Sequence, residues 1–137
     1  MEKSNIFSNN ETIRCIVCGK NLMDDIKMSM VQIITDENDQ IIRVLPCCKG
    51  ECDHILQDEI KDYEGNGFRD LSTFVNPYLY IKNLMQMMDR MFEGKGFANQ
   101  KAFDTYSDLI LNCYQYVSRN LSEEEKEVAK RTTLLPL

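Results

Sequence analysis

Five of the six cysteines in this chain lie in two close groups, and cysteine is the residue type here best suited to binding a metal. The two groups are Cys15 with Cys18, and Cys47 and Cys48 with Cys52. Thiolates at such spacings bind Zn²⁺ with tetrahedral geometry. Because close thiol pairs in a reducing compartment indicate metal binding more often than disulfides, we predict one structural zinc site.

The second group holds more thiols than one site needs. We predict Cys15, Cys18, Cys48 and Cys52 as the metal ligands. Cys47 is the alternative to Cys48, since neither leaves the usual two residues before Cys52. His54, the only histidine in the chain, is the alternative to Cys52, although a single histidine on a helix is more often a surface or core side chain.

Around the thiols the sequence predicts a β-hairpin and a helix. Residues 27–35 and 41–45 have strand composition and flank a polar turn at 36–40, and Pro46 is expected to end the second strand. A helix is predicted over 51–63, with Ile55, Leu56 and Ile60 on one face. The sequence Gly-Asn-Gly at 65–67 is expected to end that helix.

Residues 13–64 resemble a treble-clef zinc finger. A cysteine knuckle at Cys15 and Cys18 is followed by the hairpin, the second cysteine group and the helix. The resemblance depends on Cys15, Cys18, the hairpin and the cysteines around Gly50. It implies that the knuckle provides two ligands and the start of the helix provides two more. This sequence departs from the common pattern in its second pair of cysteines. Three residues separate Cys48 from Cys52, or four separate Cys47 from Cys52, where the pattern has two.

The second half of the chain predicts helices. Asn76 followed by Pro77 is a typical helix start, Gly94 and Gly96 end that helix, and another covers about residues 100–120. Ser122 begins a capping box that opens a short third helix. The two long helices carry apolar residues at steps of three and four, which predicts an antiparallel helical hairpin. These residues are Ile81, Leu84, Met85, Met88, Met91 and Phe92 in the first helix, and Phe103, Tyr106, Ile110, Cys113 and Val117 in the second.

The first of these apolar stripes is rich in methionine. We expect it to belong to the core, because such stripes are more often core than binding surface. The alternative is a surface that stays open for a partner helix or for self-association. Cys113 is predicted to be a packing residue.

The whole chain is therefore predicted to be an α+β protein. Residues 1–12 are expected to form a disordered polar tail, residues 13–64 a zinc-binding lobe, and residues 68–137 a helical lobe packed on it. Phe68, Leu71, Phe74 and Val75 are expected to pack the two lobes together. No stretch approaches the roughly 18 apolar residues of a membrane span, so we expect a cytoplasmic protein without a membrane partner.

Charge and missing catalytic groups limit the predicted function. The formal net charge is -6, from 16 basic and 22 acidic residues, which opposes general binding to phosphate backbones. We assign no catalytic residue and predict a non-enzymatic, zinc-stabilised adaptor or regulatory protein that binds another protein. An inhibitor from a phage or mobile element is a narrower version of this hypothesis.

Two alternatives remain open at the level of sequence. A nucleic-acid-binding regulator of treble-clef type is less favoured, since it requires scattered basic residues to converge on one face: Lys20, Lys27, Arg43, Lys49 and Arg69. A degenerate treble-clef nuclease is the second alternative, but the chain lacks a second histidine to help hold a catalytic metal.

Overall fold

The computed structural model describes residues 13–60, 65–119 and 121–132. Within these ranges the protein combines a three-stranded antiparallel sheet with several helices, which confirms the predicted α+β class. The predicted polar tail at 1–12, the end of the predicted first helix at 61–63 and residues 133–137 lie outside them. The division into lobes at residue 64 stays a prediction.

The predicted hairpin is present as strands β1 (Ser29–Thr35) and β2 (Ile41–Cys48). The Asp36 carboxylate accepts hydrogen bonds from the backbone N–H groups of Asn38 and Gln40, at 2.9 and 3.0 Å, and so closes the turn. Pro46 was expected to end β2, but the strand continues through it to Cys48. Proline is tolerated there because β2 is an edge strand, on which a missing N–H can face away from the sheet.

A third strand, β3 (Gly65–Asp70), was not predicted. It pairs antiparallel with β1, with Met30 opposite Asp70 and Thr35 opposite Gly65, so the sheet order is β2-β1-β3. Gly65 and Gly67 were predicted as the stop of the preceding helix, and the structure places both in this strand. Pairing with an existing strand overrides the low strand propensity of this glycine-rich sequence.

The helices were predicted more accurately than the strands. They are α1 (Glu51–Ile60), α2 (Ser72–Val75), α3 (Pro77–Phe92), α4 (Gln100–Val117) and α5 (Glu123–Arg131), and a 3₁₀ segment at Leu22–Met28 precedes β1. The side chains of Asn76 and Ser122 cap α3 and α5 as expected. Within the described ranges, none of the helices combines the length and apolarity that a membrane span needs.

The core lies between the sheet and the helices that follow it. Leu71 and Phe74 are fully buried, and the Phe74 ring lies 6.1 Å from that of Tyr106 on α4. That they pack two lobes together stays a prediction. Phe68 was assigned the same role but is 62% exposed. It belongs to the edge strand β3, where it lies opposite Gln32 of β1.

Helix α3 buries a different face from the predicted one. Tyr80 and Asn83 are buried, whereas Ile81, Met85 and Met88 are more than half exposed. The helical period of the apolar stripe was therefore predicted correctly, but the direction in which the stripe points was wrong.

Polar contacts explain the orientation of α3. Asn83 accepts a hydrogen bond from the Arg69 guanidinium of β3 and donates one to the Thr73 carbonyl at 3.2 Å. The Tyr80 hydroxyl donates to the Ile110 carbonyl of α4 at 3.0 Å. Because Asn83 and the Tyr80 hydroxyl have these partners, the two side chains can be buried without the cost of an unsatisfied donor or acceptor.

Candidate metal centre

Four cysteine side chains that are far apart in sequence lie close together in the fold. The Sγ atoms of Cys15, Cys18, Cys48 and Cys52 lie within 4.8 Å of one another. The Cys18 and Cys48 sulfurs are 3.8 Å apart, which is the spacing of about 3.8 Å that a tetrahedral site with Zn–S bonds of about 2.3 Å requires. The donor set and its spacing therefore fit one tetrahedral metal ion.

The knuckle before β1 supplies the first two sulfurs. The N–H groups of Val17 and Cys18 point at the Cys15 sulfur, at 3.4 and 3.5 Å, and Gly19 has a φ of +78°, where glycine is favoured. The Gly19 N–H also donates to the Cys15 carbonyl at 2.9 Å. Local backbone geometry thus turns both thiols of the knuckle to the same side.

The other two sulfurs come from the junction between β2 and α1. Cys48 is the last residue of β2 and Cys52 lies in the first turn of α1. Gly50 between them has a φ of +89°, and its carbonyl accepts the hydrogen bond from the His54 N–H that begins the helix. The sharp turn at Gly50 brings the end of the strand and the start of the helix to one point.

A backbone contact fixes the knuckle against this junction. The Ile16 N–H donates to the Pro46 carbonyl at 2.9 Å. Because Pro46 precedes the second pair of cysteines by only two residues, the contact holds the two halves of the cluster in register. This contact was not predicted, since Pro46 was expected to end the second strand.

The environment changes the acidity of the cluster thiols. Burial opposes ionisation of Cys15, but hydrogen bonds from backbone N–H groups, chiefly those of Cys18, Cys48 and Val17, lower its pKa to about 6. Burial, followed by hydrogen bonds to the neighbouring sulfurs, raises the pKa of Cys48 to about 11 and that of Cys52 to about 12. Without a cation, the four sulfurs cannot all ionise easily so close together, and a divalent metal would remove this repulsion.

The two alternative ligands lie outside the cluster. Cys47 is fully buried, and burial raises the pKa of its thiol to about 12. Adjacent residues of a strand point to opposite faces, so Cys47 and Cys48 cannot both face the knuckle. His54 is exposed on α1 and is not among the clustered groups. The structure brings together the four cysteines that were predicted first, and their role as ligands stays a prediction.

All six cysteines are free thiols in the structure. Cys113 is fully buried on α4, and burial raises its pKa to about 12, as suits a packing residue. Among the described residues, the four clustered cysteines are the one group of histidine, cysteine and carboxylate side chains placed to hold a metal.

The comparisons with known proteins found no match. No family model, no curated protein and no solved structure is similar to this chain.

Proposed function

We propose that this chain is a zinc-stabilised adaptor or regulatory protein that binds another protein. The observation that carries the proposal is the set of four cysteine sulfurs within 4.8 Å of one another. Four protein ligands are typical of structural zinc sites, whereas catalytic sites keep one position for water or substrate. The metal would then stabilise the fold and leave binding to the protein surface.

Zinc is the metal that this donor set favours. Soft thiolate ligands in a tetrahedral arrangement suit Zn²⁺ better than oxygen-preferring ions. Bound zinc would join the knuckle, the end of β2 and the start of α1 through one ion. Its binding energy would then be folding energy for this part of the chain.

The treble-clef assignment is part of this proposal. Its support is the order of the segments that carry the sulfurs: Cys15 and Cys18 in a knuckle, then the hairpin, then Cys48 and Cys52 on either side of a helix start. The antiparallel packing of α3 on α4 is also proposed, with the contact between the Tyr80 and Tyr114 rings, 6.0 Å apart, as its support.

Surface charge favours a protein partner over nucleic acid. Several basic residues that nucleic-acid binding would need already contact groups of this chain. Lys49 pairs with Asp70 at 2.8 Å, Lys20 lies 3.8 Å from Asp25, and Arg69 donates to Asn83. By contrast, α3 carries a continuous exposed apolar face, which is the kind of surface that protein interfaces use.

The test has a metal arm and a partner arm. We expect elemental analysis of protein purified under reducing conditions to give about one zinc per chain. We also expect affinity capture from the source cell to retain a second protein in stoichiometric amount, and only while zinc is bound. Metal-free, folded protein would contradict the zinc assignment. A salt-sensitive mobility shift with DNA or RNA, without a protein partner, would favour the nucleic-acid alternative.

A further inference from the structure

Helix α3 presents a heptad pattern to solvent. Tyr78, Ile81, Met85, Met88 and Phe92 follow one another at steps of three, four, three and four residues; we call these five side chains the α3 seam. They are between 56% and 91% exposed. A strict alternation of three and four is the pattern by which two helices pack side by side in a coiled coil.

The charges beside the seam favour one orientation of a second helix. Lys82 and Asp89 lie along the same edge of the seam, one heptad apart. In an antiparallel pair with a two-fold axis between Met85 and Met88, Lys82 of one copy lies beside Asp89 of the other, and symmetry repeats this contact. In a parallel pair, Lys82 and Asp89 of one copy would instead face the other edge of the second copy. That edge carries Leu84 and Met91, which have no charge.

The opposite edge of the seam supports the same arrangement. Leu84 is partly buried and Met91 is 52% exposed. The antiparallel pair places Leu84 of one copy beside Met91 of the other, so an apolar edge meets an apolar edge. Both edges are therefore self-complementary in one and the same register.

The size of the seam also suits a second copy. A large side chain buries up to about 150–250 Å², so five that are more than half exposed would bury on the order of 500 Å² per copy. That area approaches the roughly 800 Å² per partner of a standard interface. Hydrogen bonds of Asn83 and Tyr80 already hold helix α3 in the monomer. Dimerisation would therefore not have to offset the free-energy cost of helix nucleation.

We propose that the α3 seam is a homodimer interface in which two copies of α3 pack antiparallel about a two-fold axis between Met85 and Met88. This inference rests on the proposed function only in treating α3 as a protein-binding surface, and it needs neither zinc nor a different partner. Each copy presents the same patch to the other, so the contact closes and cannot extend into a filament.

The experiment measures the mass of the full, zinc-loaded chain by sedimentation equilibrium over a range of concentrations. We expect a dimer, and Met88→Lys is expected to weaken it by at least about 100-fold, because it places a charge at the centre of the interface. Val128→Lys on α5 is the matched control: Val128 is 50% exposed and lies outside the seam, so the dimer should be unchanged. Zinc content and thermal unfolding of both variants show that the monomer remains folded.

Charge exchange tests the orientation. Lys82→Glu alone places two carboxylates together at each end of the interface, and Asp89→Lys alone places two ammonium groups together. Each is expected to weaken the dimer on the order of tenfold at low salt, and the double variant is expected to restore it. Single variants without effect would overturn the antiparallel register.

Other results overturn the dimer itself. A zinc-loaded monomer at every concentration, or a dimer that Met88→Lys does not weaken, would exclude this interface while leaving the zinc proposal intact. If the chain dimerises only after residues 133–137 are removed, that segment occupies the seam instead of a second copy. A dimer that contains no metal would support the interface and contradict the zinc site.

Discussion

The cysteine cluster and helix α3 differ in where their polar and apolar side chains lie. In the cluster, polarisable thiols converge on a point where only a cation can satisfy all four together. In α3, polar Asn83 is buried with its partners while Met85 and Met88 face solvent. Burial thus follows the availability of partners in both regions, and hydropathy alone does not decide it. We propose a stabilising role for the cluster and a role in association for the exposed face of α3.

The largest expected effect separates the two adjacent cysteines of β2. Cys48→Ala removes a clustered sulfur and is expected to abolish zinc retention, with a loss of several kcal/mol in stability. Cys47→Ala is the matched control: it leaves the four sulfurs in place and should cost about 1–2 kcal/mol for the small cavity it creates. Elemental analysis and thermal unfolding measure the two effects. Equal zinc loss in both variants would contradict the ligand assignment.

The next effect is the pH dependence of zinc affinity. Protons compete with zinc for thiolates, so affinity should fall by orders of magnitude as the pH falls. The folded pKa of Cys15 is lowered to about 6 from an ordinary value of 9.0. Its contribution to the stability of the metal-free fold is therefore present above about pH 9 and lost as the pH falls through about 6.

The number of protons that the thiols release when zinc binds can be measured. Above pH 6, Cys15 is already ionised, whereas Cys48 and Cys52, with pKa values raised to about 11 and 12, must still lose protons when zinc binds. The slope of the logarithm of zinc affinity against pH should therefore be larger by about one below pH 6 than above it, because one more proton is released there. Competition with a chelator of known affinity measures the slope. A constant slope from pH 5 to 8 would mean that Cys15 does not titrate in this range.

A smaller effect compares the two faces of α3. Asn83→Ala leaves the Arg69 guanidinium without an acceptor from Asn83 and should cost about 2–3 kcal/mol. Met88→Ala, on the exposed face, should change the stability of the monomer by no more than about 0.5 kcal/mol. Chemical denaturation at a concentration below that of dimer formation measures both. Comparable losses at the two positions would show that the predicted stripe, and not the Asn83 face, is the buried one.

The parts that were predictable from sequence depend on local geometry. The knuckle at Cys15 and Cys18 and the helix starts at Asn76 and Ser122 are set by residues within a few positions of one another. The clustering of Cys48 with the knuckle was also anticipated, although spacing alone left Cys47 open. Strand alternation provides the missing criterion, because β2 continues through Pro46.

The parts that could not be predicted depend on distant contacts. Strand β3 forms because β1 offers it a free edge, and its own glycines gave no strand signal. The orientation of α3 depends on Arg69 and Ile110, which lie 14 and 30 residues from their partners Asn83 and Tyr80. A pattern of apolar residues gives the period of a helix, but buried polar pairs decide which side turns inward.

The smallest expected effect concerns an ion pair that joins the cluster to β3. The Lys49 ammonium lies 2.8 Å from the Asp70 carboxylate, at the turn between Cys48 and Cys52. Both side chains are partly exposed, so solvent screens the pair, and Lys49→Met should cost less than about 1 kcal/mol while the protein retains its zinc. The change should matter less still at high salt. Zinc loss in Lys49→Met would instead mean that this ion pair positions the turn and that backbone geometry at Gly50 does not hold Cys48 and Cys52 together by itself.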